Sequence, residues 1–185
     1  MRLSKGMISV AIKPTIYKFR IALSDLNRDH YDTLNLTIAQ HPSETTERMM
    51  VRVLAYCIND QEFLSFTKGL STVEDPDIWA KTLDEQISLW IDVGEPSLDR
   101  VKKACRHAQM VKVYSFNTKS DAWWNHDANK FNQLNAGFYR FEWSDIISLT
   151  KLVERTMDFS VTITGNSAYI ATNLGECEIP WQELS

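Results

Sequence analysis

Alternation of apolar and polar residues predicts most of the strands in this chain. Residues 8–23 are expected to form a long strand, and residues 31–39 a second one after a polar turn at 24–29. The inward face of the first strand carries every second residue, namely Tyr17, Phe19, Ile21 and Leu23. A second hairpin is predicted from residues 159–164 and 168–172, which are joined through Gly165-Asn166.

Helical spacing and capping residues predict four helices between these hairpins. They run from the N-cap Ser43 to about Ile58, over residues 98–108 after Pro96-Ser97, over residues 120–134, and from the cap Ser144 to about Met157. Further strands are expected after Asp77, at 87–93, at 110–116 and at 138–143. Strand 87–93, helix 98–108 and strand 110–116 form a βαβ pattern, which implies a parallel pair. The chain is therefore predicted to be one domain, residues 1–185, of mixed α/β class with additional antiparallel hairpins.

Two aspartates are placed to meet across a predicted hairpin. Asp77 precedes one strand and Asp92 lies near the end of the next, with the turn at Asp84-Glu85 between them. Neighbouring antiparallel strands lie about 4.8 Å apart, so the two carboxylates can come close together. Carboxylates at such a spacing repel one another unless they share a proton or bind a cation. Because hard divalent ions prefer carboxylate, water and phosphate oxygens, we expect a Mg²⁺ or Mn²⁺ site here.

Glu47 is a third candidate ligand, because it lies on the apolar face of the first helix. The other residues of that face are Met50, Val51, Leu54 and Ile58. A carboxylate on such a face is costly to bury unless something compensates its charge. The alternative is that Glu47 is a first-turn acid that the helix dipole stabilises and water solvates. By the same reasoning Asp77 could be a turn residue after Pro76, and Asp92 a solvated edge residue.

The helix that follows Asp92 carries a group of basic residues. Its apolar face contains Leu98, Val101, Ala104, Cys105 and Ala108. Arg100 and Lys102 flank that face, so their long side chains can extend back toward the end of the strand. Lys103 lies nearly opposite and is expected to face solvent. The alternative for the whole group is an ordinary solvated helix face.

Charge and cysteine content narrow the function classes. A net charge of −4 and a pI near 5.6 argue against a nonspecific nucleic-acid binder, so any phosphate site must be local. Three cysteines without a Cys-x-x-Cys pair predict neither a disulfide-linked partner nor a zinc site, and favour the cytoplasm. We expect no membrane span and, because residues 1–14 lack a long apolar segment, no signal peptide. The four histidines show no spacing that suggests a metal cluster.

Three stretches resemble the YaeQ family of bacterial proteins. They are Ile38-Ala39-Gln40-His41-Pro42-Ser43-Glu44-Thr45 with residues 47–52, then Pro76-Asp77 followed by Trp79, and finally Asp92-Val93-Gly94-Glu95-Pro96 with Arg100 and Lys103-Ala104. The resemblance spans nearly the whole chain. It implies a variant of the PD-(D/E)XK nuclease fold, whose core is a mixed sheet with flanking helices. Under that resemblance Glu47 matches the acid of the first core helix, Asp77 follows the motif proline, and Asp92 is the second acid.

The chain departs from the nuclease motif at one position. Gly94 stands two residues after Asp92, where the superfamily has its lysine. The helical wheel favours Lys102 or Arg100 as a replacement, whereas the resemblance points to Lys103, so all three stay candidates for the basic catalytic residue. The expected function is a metal-dependent nuclease or phosphodiesterase with a local basic site for nucleic acid. The alternative is a catalytically inactive protein that uses the nuclease fold to bind nucleic acid or a protein partner.

Overall fold

A computed structural model describes residues 13–68, 70 and 72–185 of the chain. Its strands are β1 (Thr15–Asp25), β2 (His30–Gln40), β3 (Leu64–Phe66), β4 (Ile78–Lys81), β5 (Ile87–Val93), β6 (Ala108–Ser115), β7 (Ala136–Phe141), β8 (Thr156–Thr164), β9 (Ser167–Thr172) and β10 (Gly175–Leu184). Its helices are α1 (Thr46–Ile58), α2 (Leu98–His107), α3 (Ser120–Phe131) and α4 (Trp143–Thr150). None of the helices in this described part is long and apolar enough to cross a bilayer.

The ten strands form one mixed sheet in the order β2-β1-β8-β9-β10-β7-β6-β5-β4-β3. β5 and β6 pair in parallel with α2 as their connection, which confirms the predicted βαβ unit. β1 also pairs in parallel with β8, and β6 with β7, while the other neighbours are antiparallel. The mixed α/β class and the two predicted hairpins, β1–β2 and β8–β9, are therefore confirmed.

The two faces of β5 contact different hydrophobic clusters. Leu89, Ile91 and Val93 pack in the large core with α1, whereas Trp90 belongs to a second cluster with α2 and α3. This division follows from the period-2 alternation of side chains in a strand. Asp92 shares its face with Trp90 and therefore points toward α2. The end of β5 is thus bordered by α1 on one side and by α2 on the other.

Tertiary pairing corrects several predicted boundaries. α4 starts after Glu142 and ends at Thr150, so the helix predicted from Ser144 to Met157 is too long. Met157 is instead buried in β8, which pairs with β1, because alternate residues of this segment fit a strand between β1 and β9. α1 is capped by Thr45, whose hydroxyl accepts the Arg48 N–H at 3.2 Å, and not by the predicted Ser43.

Two further differences concern the end of α3 and the last strand. α3 ends at Phe131, three residues before the predicted end. β10 was not predicted, because Ile179 is its one fully buried residue and apolar alternation is therefore almost absent. Main-chain pairing with β9 and β7 forms this strand. The predicted residues 8–12 of the first strand lie outside the described residues.

Candidate active site at the end of strand β5

The predicted hairpin brings Asp77 and Asp92 to the same place. The register that pairs Ile78 with Ile91 sets Asp77 beside Asp92, at the carboxyl end of β5. The Asp77 N–H donates to the Ile91 carbonyl at 3.0 Å, and the Asp77 carboxylate accepts the Val93 N–H at 2.8 Å. Asp77 is 5% exposed and Asp92 is 2% exposed. Both carboxylates are therefore buried, which excludes the solvated-edge interpretation of Asp92.

Asp77 is neutralised by an arginine from α1. Arg48 donates through Nη2 to both Asp77 oxygens, at 2.8 and 3.0 Å, and to the Val93 carbonyl at 3.2 Å. Its Nη1 donates to Glu44 at 2.9 Å, and Glu44 also accepts two bonds from Arg52, at 2.8 and 2.7 Å. Burial alone would lower the pKa of Arg48, but the charges and hydrogen bonds of Asp77 and Glu44 together raise it. This ion-pair chain ties the start of α1 to β4 and β5.

Asp92 is neutralised by an arginine from α2. Arg100 donates through Nε and Nη2 to the two Asp92 oxygens, at 2.8 and 2.7 Å, which is a bidentate pair. It also donates to the Val73 carbonyl at 2.6 Å and the Asp75 carbonyl at 2.8 Å. Burial raises the pKa of Asp92 and repulsion from Asp77 adds to this, while Arg100 offsets part of the rise. Since Arg100 itself keeps 30% exposure, it is the more accessible member of the pair.

These four side chains line a cavity of about 240 Å³. Glu95 also borders it, but its carboxylate accepts the backbone N–H groups of Phe116 and Asn117 and the Ser120 hydroxyl, and so holds the start of α3. A second cavity of about 590 Å³ adjoins it through the shared residue Asp75. The walls of the second cavity include Trp79, Trp90, Lys103, Arg106 and His107.

Trp90 borders the second cavity and also lies near Asp92 of the first. Its indole Nε1 is buried and has no hydrogen-bond partner among the described residues. The indole nevertheless lies close enough to Asp92 to lower the pKa of that carboxyl slightly, although the contact does not reach hydrogen-bond geometry. An unpaired buried donor beside a carboxylate is a suitable place for an oxygen atom of a ligand.

The three predicted metal ligands do not assemble into one cluster. Glu47 is half-buried, does not line the cavity and forms no hydrogen bond or ion pair with a described residue. Arg48 extends toward Asp77 and the end of β5, and Glu44 joins it to Arg52, which also donates to the Ala39 carbonyl of β2. Glu47 is turned about 100° from Arg48 around the helix. Glu44, and not Glu47, is the acid that this helix end directs toward the site.

The three basic candidates also lie in different surroundings. Arg100 contacts Asp92, as the helical wheel suggested, whereas Lys102 is exposed and away from it. Lys103, expected to face solvent, forms an ion pair with Glu74 and borders the larger cavity. Gly94 has a φ of +108°, a conformation that L side chains rarely adopt. The backbone at position 94 therefore disfavours any other side chain, a lysine included, and the basic group that contacts Asp92 is Arg100 of α2.

Sequence spacing gave no sign of another group of ligands that the structure brings together. His30 and Asp32 of β2 meet Asp60, which follows α1, with one ligand atom from each residue within 4.8 Å of the others. His30 and Asp32 are two residues apart and so share a strand face, which is a weak local signal. Asp60 is 28 or more positions away, so only the packing of α1 on the sheet reveals it. This group is the one set of three such ligands found in the described part of the chain.

Comparison with known proteins identifies the family. The family model described as "YaeQ protein" matches residues 10–181. The chain is 35% identical over 181 residues to "Uncharacterized protein YaeQ" of Salmonella typhi and 33% identical to that of Escherichia coli K12, each match covering 95% of this chain and all of the relative. The crystal structure of the YaeQ protein from Xanthomonas axonopodis pv. citri superimposes with a TM-score of 0.89 at 31% identity, over 92% of this chain and 97% of that chain. That of Pseudomonas syringae superimposes with a TM-score of 0.88 at 33% identity, over 93% and 96%. The chain belongs to the YaeQ family.

Proposed function

We propose that this protein is a metal-dependent phosphodiesterase of the nuclease type, with a variant PD-(D/E)XK core and its centre at Asp77, Asp92 and Arg100. The observation that carries the proposal is the meeting of two buried carboxylates and an accessible guanidinium in one cavity at the end of β5. Open sites at the carboxyl ends of parallel strands are where α/β proteins bind ligands. Acting in the cytoplasm, the protein would keep its three free cysteines reduced.

The donor set suits Mg²⁺ or Mn²⁺. Such ions take one or two protein carboxylates and fill the remaining positions with water and substrate phosphate, so Asp77 and Asp92 suffice without Glu47. The cavity of about 240 Å³ has room for several waters or a phosphate group. When bound, the ion would supply an activated water and offset charge on the phosphoryl oxygens.

Arg100 would exchange partners when substrate binds. In the structure it holds both oxygens of Asp92, so ion binding requires it to release at least one of them. A phosphodiester is an equally good bidentate acceptor for a guanidinium, and Arg100 is exposed enough to turn toward it. Arg48, by contrast, is fixed by Glu44, Asp77 and Val93 and would keep Asp77 in position.

The neighbouring cavity supports a nucleic-acid strand as substrate. An indole face such as that of the half-buried Trp79 stacks on bases of any sequence, and Lys103 and Arg106 can meet backbone phosphates. Because the net charge of the chain is −4, attraction to nucleic acid depends on this local surface.

One observation favours the second candidate, a catalytically inactive binding protein. Both carboxylates are satisfied by arginines, and a permanent pair of this kind would hold the fold together without binding an ion. In that case Arg106, Lys103 and Trp79 would still bind nucleic acid, but nothing would be cleaved.

Cleavage of labelled single- and double-stranded DNA and RNA with Mg²⁺ or Mn²⁺ tests the proposal. We expect cleavage that EDTA abolishes and that Asp92→Asn lowers by at least about a hundredfold, as losses of charge-stabilising groups do. Asp99→Asn, the same change at an exposed position of α2, is the matched control and should keep wild-type activity. If the protein binds a strand in the presence of metal but shows no cleavage that depends on Asp92, the enzyme proposal is wrong. The inactive binding protein is then the correct interpretation.

Variants of Arg100, with Lys102→Ala as their control, test which basic residue serves the site. Arg100→Lys keeps a charge and should retain part of the activity, while Arg100→Ala should lose it. Lys102→Ala should cleave like wild type because its side chain lies in solvent. If Lys102→Ala is inactive and Arg100→Ala is active, the assignment of the positive charge is wrong.

A further inference from the structure

We propose that His30, Asp32 and Asp60 form a binding site for a transition-metal cation of the Zn²⁺ class, separate from the Asp77–Asp92 centre. The two groups lie near opposite ends of α1, since Arg48 is in its first turn and Asp60 follows its last residue. A helix of 13 residues is about 20 Å long. The proposed metal site is therefore a second centre with its own ligands.

The ligand atoms are already close to a metal-binding arrangement. His30 Nε2 and Asp60 Oδ2 are 2.8 Å apart, and all three ligand atoms lie within 4.8 Å of one another. Zinc bonds to nitrogen and oxygen of about 2.0–2.1 Å place the ligands of a tetrahedral site roughly 3.3 Å apart. Movements of roughly 1–1.5 Å would complete the site, and the exposed Asp32 side chain is free to make them.

No arginine or lysine side chain of the described residues forms an ion pair with the carboxylates of this group. Asp60 has 7% side-chain exposure, and among the described residues its carboxylate has one hydrogen-bond partner, His30. Arg28 donates to the Asp60 backbone carbonyl and gives its ion pair to Asp25 at 2.7 Å. Asp32 has no ion pair within the described ranges and accepts the Thr33 N–H. With neutral His30 the group carries about two negative charges, which one divalent cation would neutralise.

This balance differs from that of the Asp77–Asp92 centre. There, each buried carboxylate has its own arginine, whereas a buried carboxylate here is directed at an imidazole and a second carboxylate. A near-buried charge without a cationic partner is costly unless a bound ion compensates it.

The donor set selects the class of metal. One imidazole nitrogen with two carboxylate oxygens suits Zn²⁺, Co²⁺ or Fe²⁺ and is a poor site for Mg²⁺, which prefers oxygen alone. Zn²⁺ lies toward the tight-binding end of the first-row divalent ions. Three protein ligands leave a coordination position for water, and the exposure of Asp32 and of His30, at 34%, keeps that position open to solvent.

Isothermal titration of metal-free full-length protein with Zn²⁺, and its Co²⁺ absorption spectrum, test the proposal. We expect one tight Zn²⁺ per chain, no competition from millimolar Mg²⁺, and a Co²⁺ band typical of mixed nitrogen and oxygen ligands. His30→Gln and Asp60→Asn should each weaken Zn²⁺ binding by at least about tenfold. Asp60→Asn keeps an acceptor for His30, and circular dichroism establishes that each variant is folded.

A matched control separates this site from other sources of binding. His126 and Asp127 form an exposed imidazole–carboxylate pair with Nδ1 and Oδ2 3.0 Å apart, so His126→Gln removes a comparable pair elsewhere. We expect His126→Gln to bind Zn²⁺ like wild type. Equal Zn²⁺ affinity in His30→Gln and wild type, or loss of binding in His126→Gln, would overturn the proposal.

Discussion

Removing Arg100 should destabilise the protein in a way that depends on pH. Arg100→Ala deletes two bonds to Asp92 and one each to the carbonyls of Val73 and Asp75, and leaves a carboxylate that is 2% exposed without its cation. Breaking a fully buried pair costs about 3–5 kcal/mol. Because the Arg100 side chain is 30% exposed and water can enter the vacated space, we expect a loss of about 2–3 kcal/mol at neutral pH.

The direction of the pH effect follows from Asp92. Its pKa is already raised above the ordinary value of 3.8, mainly by burial, and losing Arg100 raises it further. A raised pKa means that the folded state holds the proton more tightly than the unfolded state. The deficit of Arg100→Ala should therefore be smallest below the pKa that Asp92 has in the folded wild type, grow between that pKa and the higher pKa of the folded variant, and then stay constant.

Urea unfolding of the metal-free protein in EDTA, from about pH 4 to pH 7.5, measures this deficit. Lys102→Ala on the same helix is the control and should change the free energy of unfolding by less than about 0.5 kcal/mol. The double variant Asp92→Asn/Arg100→Ala should regain much of the loss, because no buried charge is left unpaired. A deficit under about 0.5 kcal/mol, or one that is equal at every pH, would refute the reasoning.

Three further outcomes are expected. Glu44→Gln should lower the free energy of unfolding by about 3 kcal/mol, because it leaves the buried Arg52 guanidinium without its bidentate partner; a loss under about 1 kcal/mol by urea titration would contradict this. Gly94→Lys should cost about 1–3 kcal/mol through its positive φ and give no gain in cleavage, so a more active variant would disprove the backbone explanation. Cys57, whose pKa burial raises, should resist iodoacetamide in the native protein and react after unfolding, as peptide mass analysis can show; rapid native modification would contradict its burial.

The parts of the site that could be predicted are those set by short stretches of chain. Asp77 and Asp92 belong to adjacent strands, so hairpin geometry alone brings them together. Arg100 is eight residues beyond Asp92, and helical periodicity was enough to separate it from Lys103. The mixed α/β class followed in the same way from the β5–α2–β6 unit.

The parts that could not be predicted depend on how distant elements pack. Arg48 meets Asp77 across 29 positions, and the acid that bonds to Arg48 is Glu44, which precedes α1, and not Glu47 within it. His30 and Asp60 are 30 positions apart and meet only because the end of α1 reaches the start of β2. β10 carries almost no apolar alternation, so its existence depends on pairing with β9 and β7.

Charge compensation links the two proposed centres. A buried carboxylate must be matched by an arginine, a proton or a metal ion, and the choice determines what the site can do. At the end of β5 the arginines are already in place, so an ion must compete with Arg100, and binding should strengthen when a phosphate draws that side chain away. At His30, Asp32 and Asp60 no guanidinium or ammonium of the described residues pairs with the carboxylates, so an ion should bind without any second ligand. These two arrangements of charge predict that substrate strengthens metal binding at the first centre and has no effect on it at the second.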